Sequence, residues 1–187
     1  MPLSLKLPLL SVLLLLGACR SDPVHYHTLT PTQFGNAQQG ASADIEIERI
    51  TVPAQVDRTQ IVVRQGNSGL AILETEWWGA SLSDELQSAL AEQLNSSVSP
   101  RKASLRVEVQ RFDSVPGQYA LVEAKWRLRS LGPGNTIKEM TCRTSLRTPA
   151  GATIDDLVAA HQNNVKRLAD AISQASRGTG TACPSVQ

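Results

Sequence analysis

Residues 70–94 read LAILETEWWGASLSDELQSALAEQL. Inside this stretch the apolar period changes from two to about 3.6, so a strand gives way to a helix. The turn chemistry of Gly66-Asn67-Ser68-Gly69 just upstream makes 70–76 the returning strand of a hairpin. From Leu82 onward apolar residues recur at Leu86, Leu90 and Leu94, with Ala89 beside them, which is the single core-facing stripe of an amphipathic helix. Ser81 and Asp84 have capping-box spacing at its start, and 95–100, closing on Pro100, ends it.

Upstream of the hairpin, Gln60-Ile61-Val62-Val63-Arg64 supplies the outgoing strand. Before it, 54–59 is a bend, and 44–52 alternates Ile45 and Ile47 against Glu46 and Glu48, then continues with Ile50 and Val52. Pro53 removes a ladder donor and belongs at an edge or a bulge. Asp57 can accept backbone bonds within the bend, and Arg58 can pair with it or with a neighbouring chain. Residues 20–42 are rich in Pro, Thr, Gln, Gly and Asn. They read as a mobile spacer that contains a short first strand at 25–29.

Downstream, Leu105, Val107 and Val109 alternate with Arg106, Glu108 and Gln110. After the Pro116-Gly117 turn, Ala120, Val122, Ala124, Trp126 and Leu128 alternate with Leu121, Glu123, Lys125, Arg127 and Arg129. Gly132-Pro133-Gly134-Asn135 turns the chain into a third strand at 137–147. A long helix over 154–175 follows, with Thr153 and Asp156 placed to cap it. The predicted class is α+β: antiparallel sheets with two main helices on one face, in a strands-helix-strands-helix order that resembles a loose duplication.

The first residues say where this domain belongs. Lys6 precedes the apolar run 9–16, and Gly17, Ala18 and Cys19 follow. A basic start, a short apolar core and small residues before a cut are the layout of a secretory signal, and the run is too short to span a bilayer. Leu16-Gly17-Ala18-Cys19 resembles the bacterial lipobox. That resemblance implies a signal peptide over 1–18, a diacylglycerol on the Cys19 thiol and palmitate-type acylation. Two or three acyl chains, at about 0.8 kcal/mol per buried CH2, anchor firmly where one would not. Arg20 stands where an aspartate would retain an enteric lipoprotein in the inner membrane, so the outer membrane is expected by analogy.

After cleavage all basic residues but Lys6 remain, 17 against 17 acidic. A balanced charge argues against nucleic acid as a partner. The remaining length suits one domain, expected over 43–187, with the lipidated cysteine and spacer over 19–42. Cys142 and Cys183 are the remaining thiols. An even count in an exported chain favours one intramolecular bridge, contributing roughly 4 kcal/mol; an intermolecular bridge or two free thiols compete.

No nucleophile elbow, phosphate loop or paired zinc motif occurs. His25 and His27 would share a face of an extended strand, but two ligands fall short of the four of a structural zinc site. His161 reads as a boundary residue beside the apolar stripe of the last helix. No catalytic residue, metal or cofactor is expected. Trp77 and Trp78 point to opposite faces of an extended segment, so at most one joins the core directly; either the other anchors a partner or both cover the start of the helix. Lys125, Arg127 and Arg129 form a basic stripe that reads as a solvated face.

Several landmarks together resemble a known family. They are the lipobox at Cys19, Tyr26-His27-Thr28-Leu29, Val52-Pro53-Ala54-Gln55-Val56-Asp57-Arg58-Thr59-Gln60-Ile61-Val62-Val63-Arg64, and Trp78-Gly79-Ala80-Ser81-Leu82. The chain resembles the ABC-type transport auxiliary lipoproteins, also called the PqiC family, over most of 19–175. It departs from the expected pattern at Tyr26-His27, where two aromatics would stand, and at Trp77-Trp78, where one Trp would suffice. The resemblance implies a lipid-anchored outer-membrane subunit facing the periplasm. Such a subunit is homo-oligomeric and has no chemistry of its own, and it docks MCE-type proteins that move lipid between membranes. Arg58, Trp77 and Trp78 are its candidate interface residues. The alternative is a monomeric lipoprotein that binds a lipid or small ligand between helices and sheet.

Overall fold

The computed structural model describes residues 22–32, 44–94, 102–131, 136–178 and 182–185. The expected signal peptide and Cys19, the helix end over 95–100 and the turn at 132–135 lie outside the described residues. The elements in chain order are β1 (His25–His27), β2 (Asp44–Thr51), β3 (Gln60–Gln65), β4 (Gly69–Trp78), α1 (Leu82–Leu94), β5 (Lys102–Val115), β6 (Tyr119–Leu131), β7 (Ile137–Pro149) and α2 (Ile154–Arg177). The α+β class holds, and so does the order of strands, helix, strands, helix.

The strands form a three-stranded sheet, β1-β4-β3, and a four-stranded sheet, β2-β5-β6-β7. The β3–β4 hairpin and the β5-β6-β7 meander are antiparallel, as expected. Two joints are parallel instead: β1 on β4, and β2 on β5. Both sheets are therefore mixed, and β2 leaves the first half of the chain to edge the sheet of the second. Pro53 explains part of this. The chain turns at 53–59, where Pro53 O accepts from Val56 N at 3.0 Å and Asp57 N at 3.2 Å, so β2 and β3 do not pair.

The core lies between one face of the four-stranded sheet and the two helices. Leu105, Val107 and Val109 of β5, Val122, Ala124 and Trp126 of β6, and Leu146 of β7 meet the α1 stripe of Leu82, Leu86, Leu90 and Leu94 and Leu157, Val165, Leu168 and Ile172 of α2. Burying each large side chain contributes roughly 1.5–3 kcal/mol. Trp126 brings a polar atom inside, and its Nε1–H donates to Thr144 Oγ1 at 2.9 Å. Thr153 and Asp156 form the predicted capping box on α2. Gly66 and Gly117 take positive φ, 60° and 74°, where the two hairpins turn, a conformation that side chains oppose.

A register irregularity between Val109 and Arg111 shifts β5 by one residue. Past it, Phe112 and Ser114 face the helices while Asp113 faces the other way. Asp113 is nonetheless buried. Arg64 Nε of β3 donates to its Oδ1 at 2.6 Å and Arg111 holds Oδ2, while Arg111 also lies 3.4 Å from Glu123 of β6. This charged knot fastens the small sheet to the large one. At the other end of the molecule Cys142 of β7 is bonded to Cys183, with Cα atoms 5.6 Å apart, and draws the tail back over the sheet.

Candidate functional site

The expected interface residues gather where β1, β4, the 53–59 bend and the start of α1 meet. Trp78 N–H donates to Thr59 O at 2.6 Å, and Gly79 N–H donates to His27 O at 2.8 Å. Gly79 has a tight neighbour, since a Cβ there would lie 2.9 Å from Glu85 Oε1. Asp57 does not serve its own bend as predicted. Its Oδ1 accepts from Ser83 N at 3.2 Å and Ser83 Oγ at 2.9 Å, satisfying a donor of the first turn of α1. Ser81 Oγ accepts from Asp84 N at 3.3 Å, half of the predicted capping box. Arg58 is half-buried, and its Nε has no partner among the described residues.

The tryptophan pair splits. Trp78 is 2% exposed and packs edge-to-face on Phe112, ring centres 6.4 Å apart. Its placement as an interface residue is therefore corrected: it is core, because it falls on the face of β4 that turns inward onto Phe112 of β5. Trp77 takes the other face, where its ring meets Tyr26 of β1 at 6.2 Å and 70°. The Trp77 indole N–H donates to Glu74 O at 2.9 Å.

The N-terminal segment belongs to the folded body. Leu29 is fully buried, and Glu85 Oε2 accepts from Leu29 N and Thr28 Oγ1, both at 2.8 Å. Gln162 of α2 donates to Thr28 O at 2.9 Å. Thr28 and Leu29, expected at the end of the short first strand, are thus docked on the body, because Leu29 is a core side chain inside a polar sequence. His25 Nδ1 and His27 Nε2 sit 3.0 and 2.6 Å from the two carboxylate oxygens of Glu76 on β4, and His27 Nδ1 lies 3.4 Å from Asp155. Hydrogen bonding from His25 first, and then from His27, holds the Glu76 carboxyl below its usual range against the opposing effect of burial. The two histidines share one face as predicted, and what they converge on is a carboxylate.

His161 is not a boundary residue. It is fully buried, stacked on Phe112 at 3.9 Å and 7°, with Nε2 2.9 Å from Ser114 Oγ and Nδ1 without a partner among the described residues. Burial pushes its pKa from 6.5 down to about 3, opposed by the charge of Asp113. Both side chains are buried, and their arrangement is that of a core contact. The basic stripe is balanced in part: Arg127 lies 3.5 Å from Glu139, and Arg106 of β5 pairs with Glu48 of β2. Hydrogen bonds from Ser104 and then Arg106 hold Glu48 below the usual carboxylate range.

The sequence pattern of the family described as ABC-type transport auxiliary lipoprotein component matches residues 27–173. Comparison with curated proteins gives no match. Two solved structures share the fold. An uncharacterized protein is 14% identical, with a TM-score of 0.61 over 82% of this chain and 99% of its own. A Xanthomonas campestris protein of the DUF330 family is 15% identical, with a TM-score of 0.55 over 82% of this chain and 94% of its own.

Proposed function

Since the chain belongs to the ABC-type transport auxiliary lipoprotein component family, we propose that it is a non-enzymatic subunit of an envelope lipid-transport system, acylated at Cys19 after removal of 1–18 and held at the periplasmic face of the outer membrane. Its work is mechanical. The domain self-associates, and the oligomer receives or positions the end of an MCE-type partner.

The observation that carries this reading is the uncovered part of β4. Among the described residues β1 pairs with β4 only at Glu76, Trp77 and Trp78. Earlier along the same strand Leu70 and Ile72 are exposed, beside backbone groups that β1 does not reach. An exposed apolar edge is a template for another strand. The half-buried Arg58, with its unpartnered Nε, is a second place for a group from another chain. The alternative, a monomer with lipid between helices and sheet, needs room that Trp126, Leu90, Leu105 and Leu168 fill.

Light scattering on the mature chain without acyl groups tests this. The expected result is an oligomer whose mass is constant with concentration and falls to the monomer in a Leu70→Asp, Ile72→Asp variant. A clean monomer that carries co-purified lipid would establish the alternative instead.

A further inference from the structure

We infer that Val24, Tyr26 and Trp77 form a membrane-interface patch that sets the orientation of the domain on the bilayer to which Cys19 is attached. The inference rests on the proposed acylation of Cys19.

The length of the tether comes first. Val24, the last residue before β1, lies only five positions beyond Cys19, with four residues between them. Fully extended, that stretch spans at most about 18 Å. Whatever conformation it takes, Val24 at the mouth of β1 lies within that reach of the lipidated residue. The tether also ends on a rigid mount. Leu29 is in the core, Glu85 and Gln162 hold Thr28 and Leu29, and the His25–Glu76–His27 contacts fix β1 to β4. With a short tether on a fixed strand, the surface around β1 is the one that meets the headgroups.

That surface has the composition such a position favours. Tyr26 is 68% exposed and Val24 39% exposed, large values for apolar side chains on an ordered segment. The register sets Tyr26 directly beside Trp77, and the two rings touch edge-to-face. Tyr and Trp present an apolar body with a polar tip, and they concentrate at membrane–water boundaries for that reason. The Trp77 N–H is already satisfied by Glu74 O, so burying the ring in the headgroup layer leaves no donor unpaired. The basic sheet face is no rival for this role, since β1 belongs to the other sheet. None of the three side chains carries a charge, so the attraction of the patch is to the apolar–polar boundary and does not require an anionic lipid.

The protein carries its own reporter. Of its three tryptophans, Trp78 and Trp126 are 2% and 1% exposed, leaving the half-buried Trp77 as the one that reaches the surface. The full-length lipoprotein, purified with its acyl groups, is reconstituted into phosphatidylcholine–phosphatidylethanolamine vesicles with and without a lipid spin-labelled near the headgroup. The expected result is that protein floats with the vesicles, loses emission to the spin label, and shows no such loss in a Trp77→Phe variant. Protein that floats but keeps its emission overturns the patch and leaves the lipoprotein reading standing. If Trp77 is then also shielded from aqueous iodide, a second copy covers it. Protein that carries no acyl mass and does not float overturns the lipoprotein reading, and the inference falls with it.

Discussion

Replacing His161 by leucine should flatten the response of the fold to mild acid. In the folded protein the buried imidazole stays neutral down to about pH 3, whereas in the unfolded chain it titrates near 6.5. The unfolded state therefore binds the proton first. The stabilisation is complete above pH 6.5 and is lost progressively as pH falls toward 3. Urea melts from pH 7 to about 5, above the range where most carboxylates titrate, should show wild type weakening more steeply than His161→Leu. Parallel pH profiles would refute the assignment. Glu85 makes a second prediction. Glu85→Ala removes the acceptor of Leu29 N–H and Thr28 O–H, and should cost about 1–3 kcal/mol in the same melts, with Glu85→Gln costing less. Neither residue stands out in the sequence. His161 lies beside an apolar stripe, and only the parity change in β5 reveals that Phe112 and Ser114 close over it. Glu85 occupies the first turn of α1, where an acid is ordinary, and its real partners lie some fifty residues away. The separation of Trp77 from Trp78 was legible, since an extended pair must face opposite ways, but which of them turned inward was not.

Among the elements, the joint between the sheets depends on Asp113. Asp113→Ala would leave Arg64 and Arg111 without their shared carboxylate and β3 without its fastening to β5. Both guanidinium groups are partly solvated, so the expected loss is about 2–3 kcal/mol, less than for a fully buried pair. Hydrogen exchange should show β3 and β4 losing protection before β6 and β7, and uniform loss across both sheets would count against the knot as a local fastening. Strand and helix positions were largely readable from periodicity. The apolar residues of β2 run Ile45, Ile47, then Ile50, so the alternation expected over 44–52 breaks at the register shift between Ile47 and Arg49. Pairing direction was not readable. An alternating pattern states which face is buried but not which distant strand lies alongside, so the parallel joints β1–β4 and β2–β5 left no local signature.

For the molecule as a whole, the Cys142–Cys183 bond ties the residues after α2 to β7. Substituting both cysteines by serine should lower stability by about 2–4 kcal/mol while preserving the circular-dichroism spectrum, because α2 packs through Leu157, Val165, Leu168 and Ile172 and not through the tail. A variant that loses its helical signal would mean that the bridge is needed to form the fold and not only to secure it. The parallel joint of β2 with β5 has a different kind of consequence, one of time. Asp44 is matched to Lys102 and Thr51 to Glu108, so β2 has no strand to pair with until the second half of the chain exists. A polypeptide delivered from its N-terminus can form the β3–β4 hairpin early, yet it must keep β2 waiting and its core open. Distant pairings of this kind slow folding, because the entropy of closing the loop is spent before any contact returns it. Commitment to the native state thus falls late in synthesis, and a chain interrupted before β5 remains pliable enough to be threaded, unfolded or destroyed.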